Sequence, residues 1–228
     1  MSFYVAELWR YPVKSMAGES LTEAVLGAMG MAGDREIYVV SATGEVISAR
    51  NKARLLRHRA AWEHGTATVD GRPWEDPEVA RTVREAAGES ARLVRAQAGE
   101  RFDILPLLVA TDGAVAALGI DGRRLRPNLV IGGVTGLAER AWEGRCLRIG
   151  DAVIGLLSLR QRCIMTTWDP DTGEQDREVL RRIQRELGGT TALDAWAVTG
   201  GRIAVGDAVE LIGGIEGLEP PVRGRFAG

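Results

Sequence analysis

Cys146-Leu147-Arg148-Ile149-Gly150-Asp151-Ala152-Val153-Ile154-Gly155-Leu156-Leu157-Ser158-Leu159 decides the fold class of this chain. Apolar residues dominate two runs, 146–149 and 152–159, each too short for a typical helix, and Gly150-Asp151 between them is turn chemistry. Val205-Gly206-Asp207-Ala208-Val209 turns in the same way, a similar solution and not a sequence repeat. Working outward, 129–131, 164–166, 195–198 and 203–211 also read as strands. Residues 104–109 form an apolar run, and Thr111 caps a short helix that Gly119 ends. One longer helix starts at Asp176, places Val179, Leu180, Ile183 and Leu187 on a face, and stops at Gly188.

The first hundred residues carry the same grammar. Residues 3–9 alternate, with Phe3, Val5 and the Glu7/Trp9 pair on one face. Residues 36–40 and 45–48 form a hairpin across Thr43-Gly44, and 62–64 and 66–69 precede Asp70-Gly71, a type I′ turn signal. A helix begins at Asp76-Pro77, buries Val79, Ala80, Val83 and Ala87, and ends at Gly88. The fold class is therefore mainly β with a few short helices (α+β): a closed β-barrel with a smaller β-rich region before it. Ala98-Gly99-Glu100 is the expected boundary. It gives an amino-terminal region over 1–100, a second domain over 101–213, and a flexible Gly/Pro-rich tail over 214–228.

Composition excludes several functions. A net charge of −2 supplies no basic footprint for general nucleic-acid binding. No apolar run approaches the roughly 20 residues of a membrane-spanning helix, and the amino terminus does not read as a signal peptide. Two cysteines suit a reducing, cytoplasmic location. They are also too few for a plant-type iron–sulfur cluster, which needs four. His58 and His64 are isolated, and neither a Walker loop nor a dinucleotide fingerprint is present.

What remains is a cysteine and a set of polar residues able to hold an anion. Arg162-Cys163-Ile164-Met165-Thr166-Thr167-Trp168 leads into the turn Asp169-Pro170-Asp171-Thr172-Gly173. Cys163 beside an arginine is compatible with a nucleophile, a sulfur carrier or a soft-metal ligand, and equally with a small core side chain. Cys146, in a strand pattern, reads as a core residue. Tyr11-Pro12-Val13-Lys14-Ser15, Gly33-Asp34-Arg35 and Leu125-Arg126-Pro127-Asn128-Leu129 each set charge and hydrogen-bonding groups at a strand end, suited to a phosphate or a polar heterocycle. In isolation Lys14 and Arg35 read as solvated charges before ligands, Arg126 is open to a plain ion-pair role, and 169–173 reads first as a plain turn.

The order of these segments resembles the MOSC family, named for the carboxyl termini of molybdenum-cofactor sulfurases. The likeness is to the branch containing the mitochondrial amidoxime-reducing component and its bacterial relatives. The resemblance covers nearly the whole chain and implies a MOSC-type barrel preceded by a MOSC amino-terminal β-barrel region. It implies a molybdenum–pyranopterin cofactor (Mo-molybdopterin) between the two, with Cys163 as catalytic residue and molybdenum ligand. Lys14, Ser15, Arg35, Arg126 and Asn128 would hold the pterin and its phosphate. Arg162 would bind the cofactor and, with Arg160, help keep Cys163 deprotonated, and Thr111 would open a helix whose N–H groups meet the phosphate. The implied activity is reduction of small N-hydroxylated or N-oxygenated compounds, with electrons from a separate flavin, iron–sulfur or haem protein. A carrier of sulfur, as a Cys163 persulfide, or of the cofactor itself is the alternative. A β-barrel module that has lost the cofactor is a third. Met16 and Gln161 stand where relatives often have cysteine and serine.

Overall fold

The computed structural model describes residues 2–97 and 101–224. Strand β1 (Phe3–Arg10) carries a bulge between Val5 and Glu7. The extra residue shifts the side-chain phase, so Val5 and Leu8 face the interior and Glu7 is exposed. The strict alternation expected over 3–9 fails there for that reason. Strands β2 (Glu19–Leu21), β3 (Glu23–Gly27) and β4 (Gly30–Met31) follow, then the hairpin of β5 (Ile37–Val40) and β6 (Val46–Ile47). A meander of β7 (Ala60–Glu63), β8 (Thr66–Val69) and β9 (Arg72–Pro73) turns at His64-Gly65 and Asp70-Gly71. All four turn residues have positive φ, the geometry a type I′ turn demands. Helix α1 (Pro77–Ala87) is capped by the Asp76 carboxylate, which accepts from the Glu78 N–H, and stops at Gly88. It lays Val79, Val83 and Ala87 on Ile37, Val39, Leu55 and Val69. Strand β10 (Arg92–Arg95) returns antiparallel to β5.

The second half contains β11 (Leu107–Thr111), α2 (Asp112–Leu118), β12 (Leu129–Gly132), β13 (Arg145–Ile149) and β14 (Ala152–Gln161). Helix α3 (Arg177–Leu187), β15 (Thr190–Thr199), β16 (Gly201–Ala204) and β17 (Ala208–Gly214) complete it. Seven strands close a barrel in the order β12-β11-β15-β14-β13-β17-β1, with β1 pairing back to β12. Strand β11 is buried throughout because it has two apolar neighbours. Leu107 and Val109 enter the barrel core, while Leu108 and Ala110 meet Leu118, Val179, Ile183 and Leu187 of α2 and α3 outside.

Residues 98–100, where the boundary is expected, lie outside the described residues, but strands cross that point in both directions. Strand β1 closes the later barrel, and β16 leaves it to pair with β3. The apolar stretch 164–166, expected as a strand, is a 3-10 turn over Ile164–Thr167. There the Thr166 and Thr167 hydroxyls donate to the Cys163 and Ile164 carbonyls at 3.0 and 2.7 Å, a local closure that competes with ladder pairing. Strand β17 runs to Gly214, and farther on the Gly224 N–H donates to the Ile104 carbonyl at 2.7 Å. Residues 225–228 of the expected tail lie outside the described residues. Among the described residues no helix is long and apolar enough to cross a membrane.

Candidate functional site

Immediately after β1, Tyr11 is buried and becomes the centre of a polar cluster. Its N–H donates to Asp34 Oδ1 at 2.8 Å, and Asp34, fully buried, pairs with the neighbouring Arg35. Arg35 and Arg126 both adopt left-handed backbone, with φ of 50° and 57°. Their side chains converge on one ring: Cζ of Arg126 lies 4.2 Å and Cζ of Arg35 5.0 Å from the Tyr11 centroid, a double cation–π contact. Arg35 also donates to Asn128 Oδ1 at 3.2 Å and to the Arg126 carbonyl at 3.4 Å. Asn128 is fully buried. Its Oδ1 also accepts from the Leu108 N–H, and its Nδ2 donates to the Trp9 carbonyl. Burial pushes the Tyr11 phenol up to about 12, against the two arginines, and its hydroxyl has no partner among the described residues. Burial likewise lowers Arg126 to about 10.

A second branch runs to the cysteine. Lys14 Nζ sits 2.7 Å from Asp103 Oδ1, and Arg50 holds the other oxygen at 2.6 Å. Burial works to raise the Asp103 carboxyl, but Lys14 and Arg50 outweigh it and hold the group near 2. The Cys163 side chain lies close enough to the Arg50 guanidinium to help raise its pKa, alongside Asp103. Ser15, next to Lys14, is buried with φ of 73°. Half-buried Cys163 occupies the position before the 3-10 turn, where its carbonyl accepts from the Thr166 N–H. Arg162 gives one N–H to the Leu125 carbonyl at 2.6 Å, while its Nε and Nη1 are buried without partners among the described residues. Burial, with Arg160 next, lowers Arg162 to about 10. Arg160 is itself paired with buried Asp194.

The structure thus brings together Lys14, Ser15, Arg35, Arg126, Asn128, Arg162 and Cys163. Around them six cations (Lys14, Arg35, Arg50, Arg126, Arg160, Arg162) meet three carboxylates (Asp34, Asp103, Asp194). Such an excess in a partly desolvated place calls for a bound anion. Thr111 stands apart, at the far end of β11 from Leu108, about 10 Å along the strand. Its Oγ1 caps α2 by accepting from the Ala114 N–H and donates to Glu139. The Gly113 N–H goes to Asp112, so the start of α2 satisfies its own donors.

The 169–173 turn is built locally and pinned from outside. Asp169 Oδ1 accepts from the Asp171 and Thr172 N–H groups, which lower its carboxyl, and Arg124 binds its other oxygen at 2.7 Å. Pro170 to Gly173 line one wall of a cleft of about 540 Å³ that Arg126 and Tyr11 also line. Cys163 does not line it. Cys146 is a core residue, as its strand pattern suggests, with burial raising its thiol. His58 faces Asp70, and no group of three metal-ligating side chains occurs among the described residues.

Arg50 and Asp103, which carry the link between Lys14 and Cys163, were not singled out from the sequence. Nothing local marks them, because both lie in irregular segments and meet only through the fold. Tyr11 was visible as part of its motif, but its role as the ring beneath two arginines was not.

Models of two families match: the MOSC N-terminal beta barrel domain over residues 2–103 and the MOSC domain over 89–210. Mitochondrial amidoxime-reducing component 1 of Homo sapiens is 26% identical over 281 aligned positions, covering 92% of this chain and 83% of its own length. Mitochondrial amidoxime reducing component 2 of Macaca fascicularis is 26% identical, covering 76% of this chain and 69% of its own. The crystal structure of the YuaD protein from Bacillus subtilis aligns with a TM-score of 0.51 at 13% identity, over 92% of this chain and 96% of that one, a likeness of fold alone.

Proposed function

The chain belongs to the MOSC domain family, and from that membership we propose that it is a molybdenum-cofactor-dependent reductase of N-hydroxylated or N-oxygenated compounds. The observation that carries the reading is the cation-rich cluster joining Tyr11 to Cys163, with the two unpartnered N–H groups of Arg162 inside it. A pyranopterin phosphate is polyanionic and rich in hydrogen-bonding atoms, so the donor set fits it in charge and type. Cys163 would supply a soft sulfur ligand suited to a metal already bound by sulfur. Arg162 would donate its free N–H groups to the anion, and Arg35, Arg126, Lys14 and Ser15 would surround it. Asn128, whose amide is spent inside the fold, would act by orienting Arg35. Arg50 would hold the Cys163 sulfur in place while Asp103 fixes Arg50.

When bound, the cofactor supplies the redox chemistry by which an N–O bond is reduced. Electrons would come from a separate flavin, iron–sulfur or haem protein, and a cytoplasmic location belongs to the same proposal. The test is to purify the protein from a host that makes the cofactor and to measure molybdenum, Cys163 mass and reduction of an amidoxime with a chemical electron donor. Stoichiometric molybdenum, lost together with activity in Cys163→Ser while the fold persists, is the expected result. A labile extra sulfur on Cys163 without molybdenum would replace this reading by that of a sulfur carrier. Full turnover by Cys163→Ala would remove the cysteine from the chemistry.

A further inference from the structure

The cleft that Arg126 shares with the cluster is also lined by Trp9, Tyr11, Arg57, Arg59 and Arg123. Four arginines there meet one lining carboxylate, Asp171, in a chain of net charge −2. That carboxylate is already committed, since Arg123 holds both its oxygens at 2.8 and 2.6 Å. The guanidinium groups of Arg57 and Arg59 make no hydrogen bond or ion pair among the described residues, and neither does that of Arg126, which only covers Tyr11. Single exposed arginines are ordinary. Two uncommitted guanidinium groups, those of Arg57 and Arg59, on one concavity that Arg126 borders from the cluster side, beside two aromatic rings, are an arrangement for a ligand.

The chemistry of that ligand follows from the lining. One guanidinium suffices for a carboxylate, whereas several forks suit the oxygens of a phosphate monoester. Trp9 is anchored by its indole N–H to Glu7 at 2.6 Å, so its ring is a fixed surface on which a planar heterocycle can stack. Gly18 and Gly173 let the lining segments pack closely on Tyr11 and Arg57. A Cβ added at Gly18 would stand 2.6 Å from the Tyr11 ring, and one at Gly173 would stand 3.0 Å from Arg57 Nε.

We infer that this cleft binds a phosphate monoester carried on a planar heterocycle, a nucleoside monophosphate in chemical class, as the anchoring part of the substrate. The substrate role rests on the proposed N–O reductase reading, in which the base of the nucleotide bears the N–OH group. Arg126 and Tyr11 belong both to the cleft and to the cluster, so an anchored ligand borders the cofactor region.

Isothermal titration with adenosine monophosphate and with adenosine tests this on cofactor-loaded and cofactor-free protein. The loaded protein is expected to bind the monophosphate at least about tenfold more tightly than the nucleoside. The double variant Arg57→Gln/Arg59→Gln should weaken it by about a hundredfold with melting temperature and molybdenum content unchanged. Binding by cofactor-free protein that disappears on loading assigns these arginines to the cofactor's own phosphate and overturns the inference. Equal affinity for nucleotide and nucleoside, or no effect of the double variant, also overturns it. A protein that never takes up molybdenum but binds the nucleotide through Arg57 and Arg59 overturns the reductase reading and leaves the phosphate site standing.

Discussion

Replacing Asn128 by alanine separates a strut from a ligand. Its amide makes three hydrogen bonds inside the protein: Oδ1 accepts from the Leu108 N–H and from Arg35, both at 3.2 Å, and Nδ2 donates to the Trp9 carbonyl at 3.3 Å. Each such bond contributes about 1 kcal/mol net, and the buried groups stranded by truncation add their own desolvation. The expected loss is about 3 kcal/mol, which corresponds to a fall in Tm of roughly 6–12 °C for a chain of this size. Urea denaturation of the cofactor-free protein is the assay, because bound cofactor would add its own stabilisation. Asn128→Asp keeps an acceptor for Leu108 and Arg35 and should lose less. A loss below about 1 kcal/mol in the alanine variant, accompanied by failure to retain molybdenum, would refute the strut and make the amide a direct ligand group.

Asp103→Asn should cost about 2 kcal/mol at neutral pH, the equivalent of holding the carboxyl near 2. The native carboxyl is depressed, so its contribution is present above about pH 4 and is lost as pH falls through about 2. Wild type and variant should therefore converge in acid denaturation, and a constant gap down to pH 2 would contradict the ion-pair argument. Gly18→Ala should destabilise by about 2 kcal/mol or more, since its Cβ would meet the Arg10 carbonyl at 2.4 Å and the Tyr11 ring. Gly27→Ala, with open space at the same position, is the near-neutral control in the same urea titration. Thiol labelling of folded, cofactor-free protein should show one fast cysteine, half-buried Cys163, and one that reacts only on unfolding, Cys146. Two fast thiols would contradict the barrel packing around Cys146.

Local signals in the chain carry a good part of the fold. The caps at Asp76, Thr111 and Asp176, the stops at Gly88, Gly119 and Gly188, and the Asp70-Gly71 turn all operate within a few residues, and the structure uses each as read. Two features were hidden because distant partners decide them. The β1 bulge exists to keep both Val5 and Leu8 in the barrel core, a demand set by β12 more than a hundred residues away. The 164–167 turn has strand composition, and hydroxyl back-bonding by Thr166 and Thr167 overrides it. The cluster was legible only as a series of motifs resembling a family. Its electrostatics depend on Arg50, Asp103 and Tyr11 meeting across the two halves, which spacing alone cannot encode.

The closure of the barrel by β1 also fixes an order of events in time. On the ribosome β1 emerges with both of its edges unpaired, and its barrel neighbours are β12 at 129–132 and β17 around 208–209. At about 5–20 residues per second, the interval before β17 is made is roughly 10–40 s. Until β12 is made both edges expose backbone donors and acceptors to any other extended chain, and the Phe3–Tyr4 end stays exposed on its second edge until β17 follows. Only the short β2, which pairs with Leu8, Trp9 and Arg10, can shield part of it early. The newborn chain therefore passes through its most aggregation-prone state before the last strand is synthesised, and the yield of folded protein should respond to translation speed and to holdase chaperones.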